Sequence, residues 1–150
     1  MSNYRPISLL TSFSEVFEKV IYNRVHNHIK VNNILAKEQY GFRNNSSTEI
    51  ASFNLINNIL EELNNKMWVG GIFCDLNKAF DYVNHSILLS KLEFYGITDK
   101  ANNLIKSYLN DRYQRVIIKN NYSKNCLSDW RKVKQGVPQG SILGPLFLLL

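Results

Sequence analysis

The feature that most constrains this chain is the stretch 69–83, an apolar run that ends in two carboxylates, Asp75 and Asp81. Its β-branched and aromatic first half predicts a buried strand that delivers acids to its C-terminal tip. Side chains alternate along a strand, so Gly71, Phe73 and Asp75 share one face and Ile72 and Cys74 the other. A carboxylate beside Phe73 is costly to bury alone. Asp75 must therefore emerge at the sheet edge, meet a basic partner, or bind a cation. Asn77 favours a turn that brings Asp81 close behind it. A lone pair of acids at this spacing also has a plainer reading, a strand end followed by a helix-capping Asp. The rest of the chain decides between them.

With 150 residues, 45% hydrophobic and 20% charged, the chain can bury one sizeable core. The net charge of +6 suits a polyanionic partner, though it speaks to association and not to fold. Cys74 and Cys126 have no companion at metal-ligand spacing, which argues against zinc. A single disulfide is one option, but Cys74 falls in the buried-looking strand, and free thiols in a reducing compartment are the simpler reading. No targeting signal and no apolar run of about 18 residues is present, so the expected setting is intracellular, nucleus or cytoplasm, with no membrane partner.

Helical spacing recurs along the first two-thirds. A Ser12/Glu15 capping box opens a helix with apolar positions Phe13, Val16, Phe17, Val20, Ile21, Val25 and Ile29, ending at Asn32-Asn33. Glu18, Lys19, Asn23, Arg24 and Asn27 fall on its polar face. His26 and His28, two apart, cannot share a metal face. A Ser46/Glu49 box opens a second helix through Ile50, Phe53, Ile56, Ile59, Leu60 and Leu63. Asn84 caps a third with Ile87, Leu88, Leu92 and Phe94, stopped by Gly96. Thr98 opens a fourth through Leu104, Ile105, Tyr108 and Leu109. Residues 112–119 and 122–130 then read as a hairpin about Asn120-Asn121. Gly136, Pro138 and Gly140 make a tight loop whose backbone can approach a ligand closely, and Pro145 suits the first turn of a last helix.

Five segments, in order, resemble one family. Phe73-Cys74-Asp75-Leu76-Asn77-Lys78-Ala79-Phe80-Asp81-Tyr82-Val83 resembles motif A of reverse transcriptases from non-LTR retrotransposons, aromatic-x-Asp-Leu-x-Lys-Ala-Phe-Asp-x-Val. Asn3-Tyr4-Arg5-Pro6-Ile7-Ser8-Leu9-Leu10 resembles the segment upstream of their fingers, and Gln39-Tyr40-Gly41-Phe42-Arg43 with Ser47-Thr48 a finger motif. Tyr108, Leu109, Arg112, Gln114 and Val116 match the region between motifs A and B. Gly136-Val137-Pro138-Gln139-Gly140-Ser141-Ile142-Leu143-Gly144-Pro145 closely resembles motif B.

The resemblance implies an α+β right-hand polymerase: fingers over 1–66 and a partial palm over 67–150, with an antiparallel palm sheet backed by helices. It implies RNA-templated DNA synthesis by nucleotidyl transfer with two Mg2+ ions, Mn2+ being a substitute. The partners are an RNA template, a DNA primer and deoxynucleoside triphosphates. Asp75 is the implied catalytic metal ligand, joined by the Leu76 backbone carbonyl. Phe80 screens the sugar 2′ side, and Gln139, Gly140 and Arg43 meet the nucleotide. Arg5, Ser47 and Pro138 meet the template. Asp81 either holds metal or braces the turn. His85 is not needed for this chemistry.

The apolar run 146–150 suggests a fragment of a larger protein, cut before motif C and its Asp-Asp pair, and inactive alone. The alternative is a non-catalytic or decayed nucleic-acid-binding piece, which intact Asp75, Phe80 and Gln139 disfavour. An RNA-templated RNA polymerase is a third reading, which bulky Phe80 disfavours.

Overall fold

The computed structural model describes residues 7–118 and 125–150. Helix α1 (Ser12–Val31) starts one residue earlier than the capping box predicts: Thr11 is the N-cap, its hydroxyl accepting the Ser14 amide. Asn32 closes it, its side-chain amide donating to the His28 carbonyl over 2.8 Å. Its buried stripe is Glu18, Ile21, Val25 and Ile29. Two expectations are corrected here. Glu18 is not on the polar face but wholly buried, and Phe13, Val16, Phe17 and Val20 stay exposed, Phe13 at 91%. The core runs along one narrow seam of the helix, and these four flank it.

Helix α2 (Thr48–Asn64) is capped by Ser47, whose hydroxyl accepts the Ile50 amide over 3.2 Å, and not by the expected Ser46. None of its residues is buried, and of the apolar positions the periodicity marks all but half-buried Ile59 are exposed.

Residues 67–78 form no strand, which corrects the central sequence expectation. The segment runs irregularly, with Ile72 93% and Phe73 87% exposed. Cys74, expected in a buried strand, is exposed as well. A strand is held by ladder partners and a covering layer. Among the described residues neither flanks this segment.

Beyond a 3-10 turn (Ala79–Tyr82), helix α3 (His85–Phe94) begins where predicted: the Asn84 side-chain oxygen accepts the Ser86 and Ile87 amides at 2.9 and 3.1 Å. It also ends where predicted. Gly96 adopts φ +85°, the Ile97 amide reaches the Leu92 carbonyl at 2.8 Å, and the Gly96 amide reaches Glu93 at 2.9 Å, a complete Schellman closure. Helix α4 (Asp99–Leu109) packs against it across a short connection, tied by the Asn102 side chain donating to the Leu89 and Ile97 carbonyls.

A ribbon follows. Strand β1 (Tyr113–Gln114) pairs antiparallel with β4 (Arg131–Lys132), and β2 (Ile117–Ile118) with β3 (Cys126–Leu127). Between the ladders the return strand carries one extra residue, so the register slips as at a β-bulge. Ser128 spans the gap: its amide donates to the Val116 carbonyl, and its hydroxyl accepts the Val116 amide. The predicted Asn120-Asn121 turn lies outside the described residues.

Helix α5 (Leu143–Leu149) packs against α1, with Pro145 in its first turn. The core joins Ile21, Val25 and Ile29 of α1 to Leu88 and Leu92, Ile105 and Leu109, and Leu143 and Phe147. The architecture is thus mixed: helices around one core plus small antiparallel ladders. No helix among the described residues is long and apolar enough to cross a membrane.

Candidate functional site

Three of the sequence segments meet at Phe80. Its backbone carbonyl, in the 3-10 turn, accepts the Val137 amide over 2.8 Å. The Gly136 amide meanwhile donates to the Val83 carbonyl, also at 2.8 Å, so the 136–141 loop docks along the turn that follows Asp75. This approach dictates glycine at 136. There φ is +85°, and a Cβ would stand 2.8 Å from the Asp81 carbonyl oxygen. The Phe80 ring lies under Gly144, at 3.5 Å from where a Cβ would sit. Its other neighbour is Phe42, ring centroids 6.4 Å apart and planes at 87°, an edge-to-face contact.

The loop is gripped from other sides. His85, buried, places Nε2 2.8 Å from the Gly136 carbonyl, which obliges that nitrogen to donate. The Ser8 amide donates to the Gln139 carbonyl over 2.9 Å. The Ser141 hydroxyl donates to the Pro138 carbonyl and accepts the Gly144 amide, fixing the start of α5.

Behind this start stands Glu18, 0% exposed. One carboxylate oxygen accepts the Ile142 amide at 2.7 Å and lies 3.4 Å from that of Leu143; the other accepts the Tyr108 hydroxyl at 2.5 Å. Burial first, and then the bond to Glu18 and its charge, hold the Tyr108 phenol well above its ordinary range. Arg112 lies over the same ring at 5.0 Å.

The predicted site residues divide into groups. Phe80, Pro138, Gln139 and Gly140 share one locale. Pro138 is buried, Gln139 half-buried, and Gly140 exposed at φ +99° against Ile7 and Ser8. Arg43 is half-buried, one guanidinium nitrogen donating to the Ala36 carbonyl at 2.9 Å and the Lys37 carbonyl at 3.4 Å. With Tyr22, Phe42, Asn44 and Ser46 it faces Ile142, Pro145 and Leu146 across a cleft of about 520 Å3. Ser47 spends its hydroxyl on capping α2. Asp75 and Leu76 sit exposed on the irregular segment. Asp81 is exposed too, and its backbone amide braces the turn through the Lys78 carbonyl at 2.9 Å. Arg5 lies outside the described residues.

An exposed Asp75 carboxylate is a hard oxygen donor, the chemistry Mg2+ takes from one or two acids plus substrate phosphates. Among the described residues no three His, Cys, Asp or Glu side chains gather into a metal site. The exposed Asp75 carboxylate fits as a single ligand of such an ion.

Sequence reading missed Glu18, His85 and Phe42 as site-building residues. A signal existed for Glu18, which lies three residues before Ile21 and seven before Val25, in phase with the buried stripe. Phe42 lies in the segment that resembles a finger motif, but its edge-to-face contact with Phe80 depends on the folded loop, where its φ is +54°.

The family described as reverse transcriptase (RNA-dependent DNA polymerase) matches residues 1–150. Among curated relatives, a probable RNA-directed DNA polymerase from transposon BS of Drosophila melanogaster is 39% identical over 96% of this chain and 15% of its own length. The RNA-directed DNA polymerase from mobile element jockey of Drosophila funebris is 35% identical over 97% of the chain and 15% of its own. A probable RNA-directed DNA polymerase from transposon X-element of Drosophila melanogaster is 35% identical over 99% and 16%. The chain therefore spans about 15% of the length of these relatives. No solved structure matches the chain.

Proposed function

Because the chain belongs to the reverse transcriptase family, we propose that the whole protein copies an RNA template into DNA from a DNA primer, in the service of retrotransposition. The observation that carries this reading is the docking of the 136–141 loop on the Phe80 turn through the Val137 and Gly136 amides. It brings the aromatic side chain proposed to sense the sugar and the loop proposed to line the nucleotide into one locale.

In this reading, 1–66 form a fingers-like part and 67–150 part of the palm. Asp75, with the Leu76 carbonyl, holds its share of two Mg2+ ions, with Mn2+ as a substitute. When bound, such ions lower the pKa of the primer 3′-hydroxyl and neutralise the leaving pyrophosphate. Phe80 excludes a 2′-hydroxyl, while Gln139 and Gly140 position the deoxynucleoside triphosphate. Arg43 contributes its remaining guanidinium donors to phosphate across the cleft. Arg5, Ser47 and Pro138 stand on the template side. Contacts to nucleic acid are dominated by backbone phosphate, so binding weakens steeply with salt. The protein works inside the cell, in nucleus or cytoplasm.

Two-ion chemistry needs more negative charge than Asp75 and Asp81 supply, and the 150 residues contain no Asp-Asp pair. The chain by itself is therefore inactive, and the remaining acids belong to the longer protein. Primer extension by the complete protein on a primed RNA template tests the function, with deoxy- and ribonucleotides run in parallel. Extension with deoxynucleotides is expected. Tight binding of primed RNA without extension, in Mg2+ or Mn2+, would favour a non-catalytic binding domain.

A further inference from the structure

We propose that Glu18 is a positioning residue for the nucleotide-facing loop, holding the start of α5 so that Gln139 and Gly140 stand in place. The proposal rests on the reading of Gln139 and Gly140 given above. A carboxylate taken wholly out of water is costly unless it is hydrogen-bonded. Glu18 meets that condition with the Ile142 amide and the Tyr108 hydroxyl, and lies near the Leu143 amide. Among the described residues no Lys or Arg pairs with it; the single ion pair there is Lys132–Asp111. Its charge is answered by backbone amides at the start of α5 and by a phenol.

An apolar side chain at this position would extend the stripe of Ile21 and Val25 and fill the same space. What the carboxylate adds is direction. It fixes two amides that lie two and three residues beyond Gly140, whose φ of +99° marks the bend of the loop. The other grips from outside the loop act on its first half, through Phe80, Val83 and His85, or on the Gln139 carbonyl through Ser8, while Ser141 ties the second half only to its own neighbours Pro138 and Gly144. Glu18 is the charged hold on its second half, and it ties that half to α1 and, through Tyr108, to α4.

The test uses the complete protein and two readouts. In single-nucleotide extension, Glu18→Ala is expected to raise the KM for deoxynucleotide about tenfold, the scale of one charge-assisted hydrogen bond. Its Kd for primed RNA should stay within about twofold, since no phosphate contact is lost. Glu18→Gln is expected to restore most of the loss. Its oxygen can still accept the Ile142 amide while the Tyr108 hydroxyl turns to accept from the new amide. Should Glu18→Ala not fold, Tyr108→Phe removes one bond alone and is expected to raise KM about threefold. In hydrogen exchange, Glu18→Ala should speed exchange in 136–144 while leaving 85–94 unchanged. An unchanged KM together with a uniform loss of protection would make Glu18 packing only, and overturn the proposal. An Asp75→Asn control separates the two claims. If that variant extends primers normally, the assignment of Asp75 fails, while the exchange result still judges Glu18. If it is inactive and Glu18→Ala keeps the wild-type KM, the positioning role fails alone.

Discussion

The Val137 amide donates to the Phe80 carbonyl over 2.8 Å, and this one bond joins segments 57 residues apart. It fixes the 136–141 loop against the turn that carries Phe80. The consequence is that a change at either partner should be felt at the other.

Gly136→Ala tests that coupling. The substituted residue would have to adopt φ +85° with its Cβ against the Asp81 carbonyl oxygen, 2.8 Å away. Strain of this kind costs about 1–3 kcal/mol. Urea unfolding should show a loss of that size with an unchanged slope. A loss of under about 0.5 kcal/mol would mean that the loop shifts freely and is not set by the turn.

Phe80→Ala should admit ribonucleotides in the complete protein. Removing the ring takes away the wall proposed to stand against a 2′-hydroxyl, and it also unseats Phe42 and Gly144, which the ring touches. The deoxy-to-ribo ratio of kcat/KM is expected to fall by at least tenfold, or about 1.4 kcal/mol of discrimination. An unchanged ratio would leave Phe80 as packing alone.

Tyr108 gives a pH prediction whose sign follows from its surroundings. Burial and the Glu18 bond favour the neutral phenol, raising its pKa in the folded chain above the ordinary value near 10. The stability this supplies is complete below the unfolded value. It declines as pH rises above about 10, because the unfolded chain then releases the proton and the folded chain keeps it. Tyr108→Phe should flatten that decline relative to wild type in parallel unfolding curves from pH 8 to 11. Equal slopes would show Tyr108 titrating normally in the folded chain.

Much of the local structure was legible in the sequence. The Asn84 cap and the Gly96 stop came out as predicted, because each residue has one conformation in which it excels and no competitor beside it. The Thr11 and Ser47 caps were missed by one residue, because Thr11-Ser12 and Ser46-Ser47 offer two hydroxyls in succession and only the folded backbone chooses. Glu18 was misplaced for a different reason. Charge argued for the surface while helical phase argued for the seam, and two hydrogen-bonding partners distant in sequence decided for the seam. The 67–78 segment has the composition of a strand, but composition supplies no ladder partner, and it stays irregular here. The approach of the 136–141 loop to Phe80 depends on backbone bonds between segments that carry no mutual signal beyond the resemblance each bears to its motif.

The central claim is that Asp75 serves metal-dependent nucleotidyl transfer, and the direct measurement is Asp75→Asn in the complete protein. Primer extension on an RNA template and equilibrium binding of the same primed template should be measured side by side. Removing one exposed carboxylate takes away a metal-ligand charge but no phosphate contact, so its effect falls on the transition state. The account predicts extension reduced by at least a thousandfold, about 4 kcal/mol, with template Kd within about threefold of wild type. Extension near the wild-type rate would contradict it and return Asp75 to the plain end of an irregular segment.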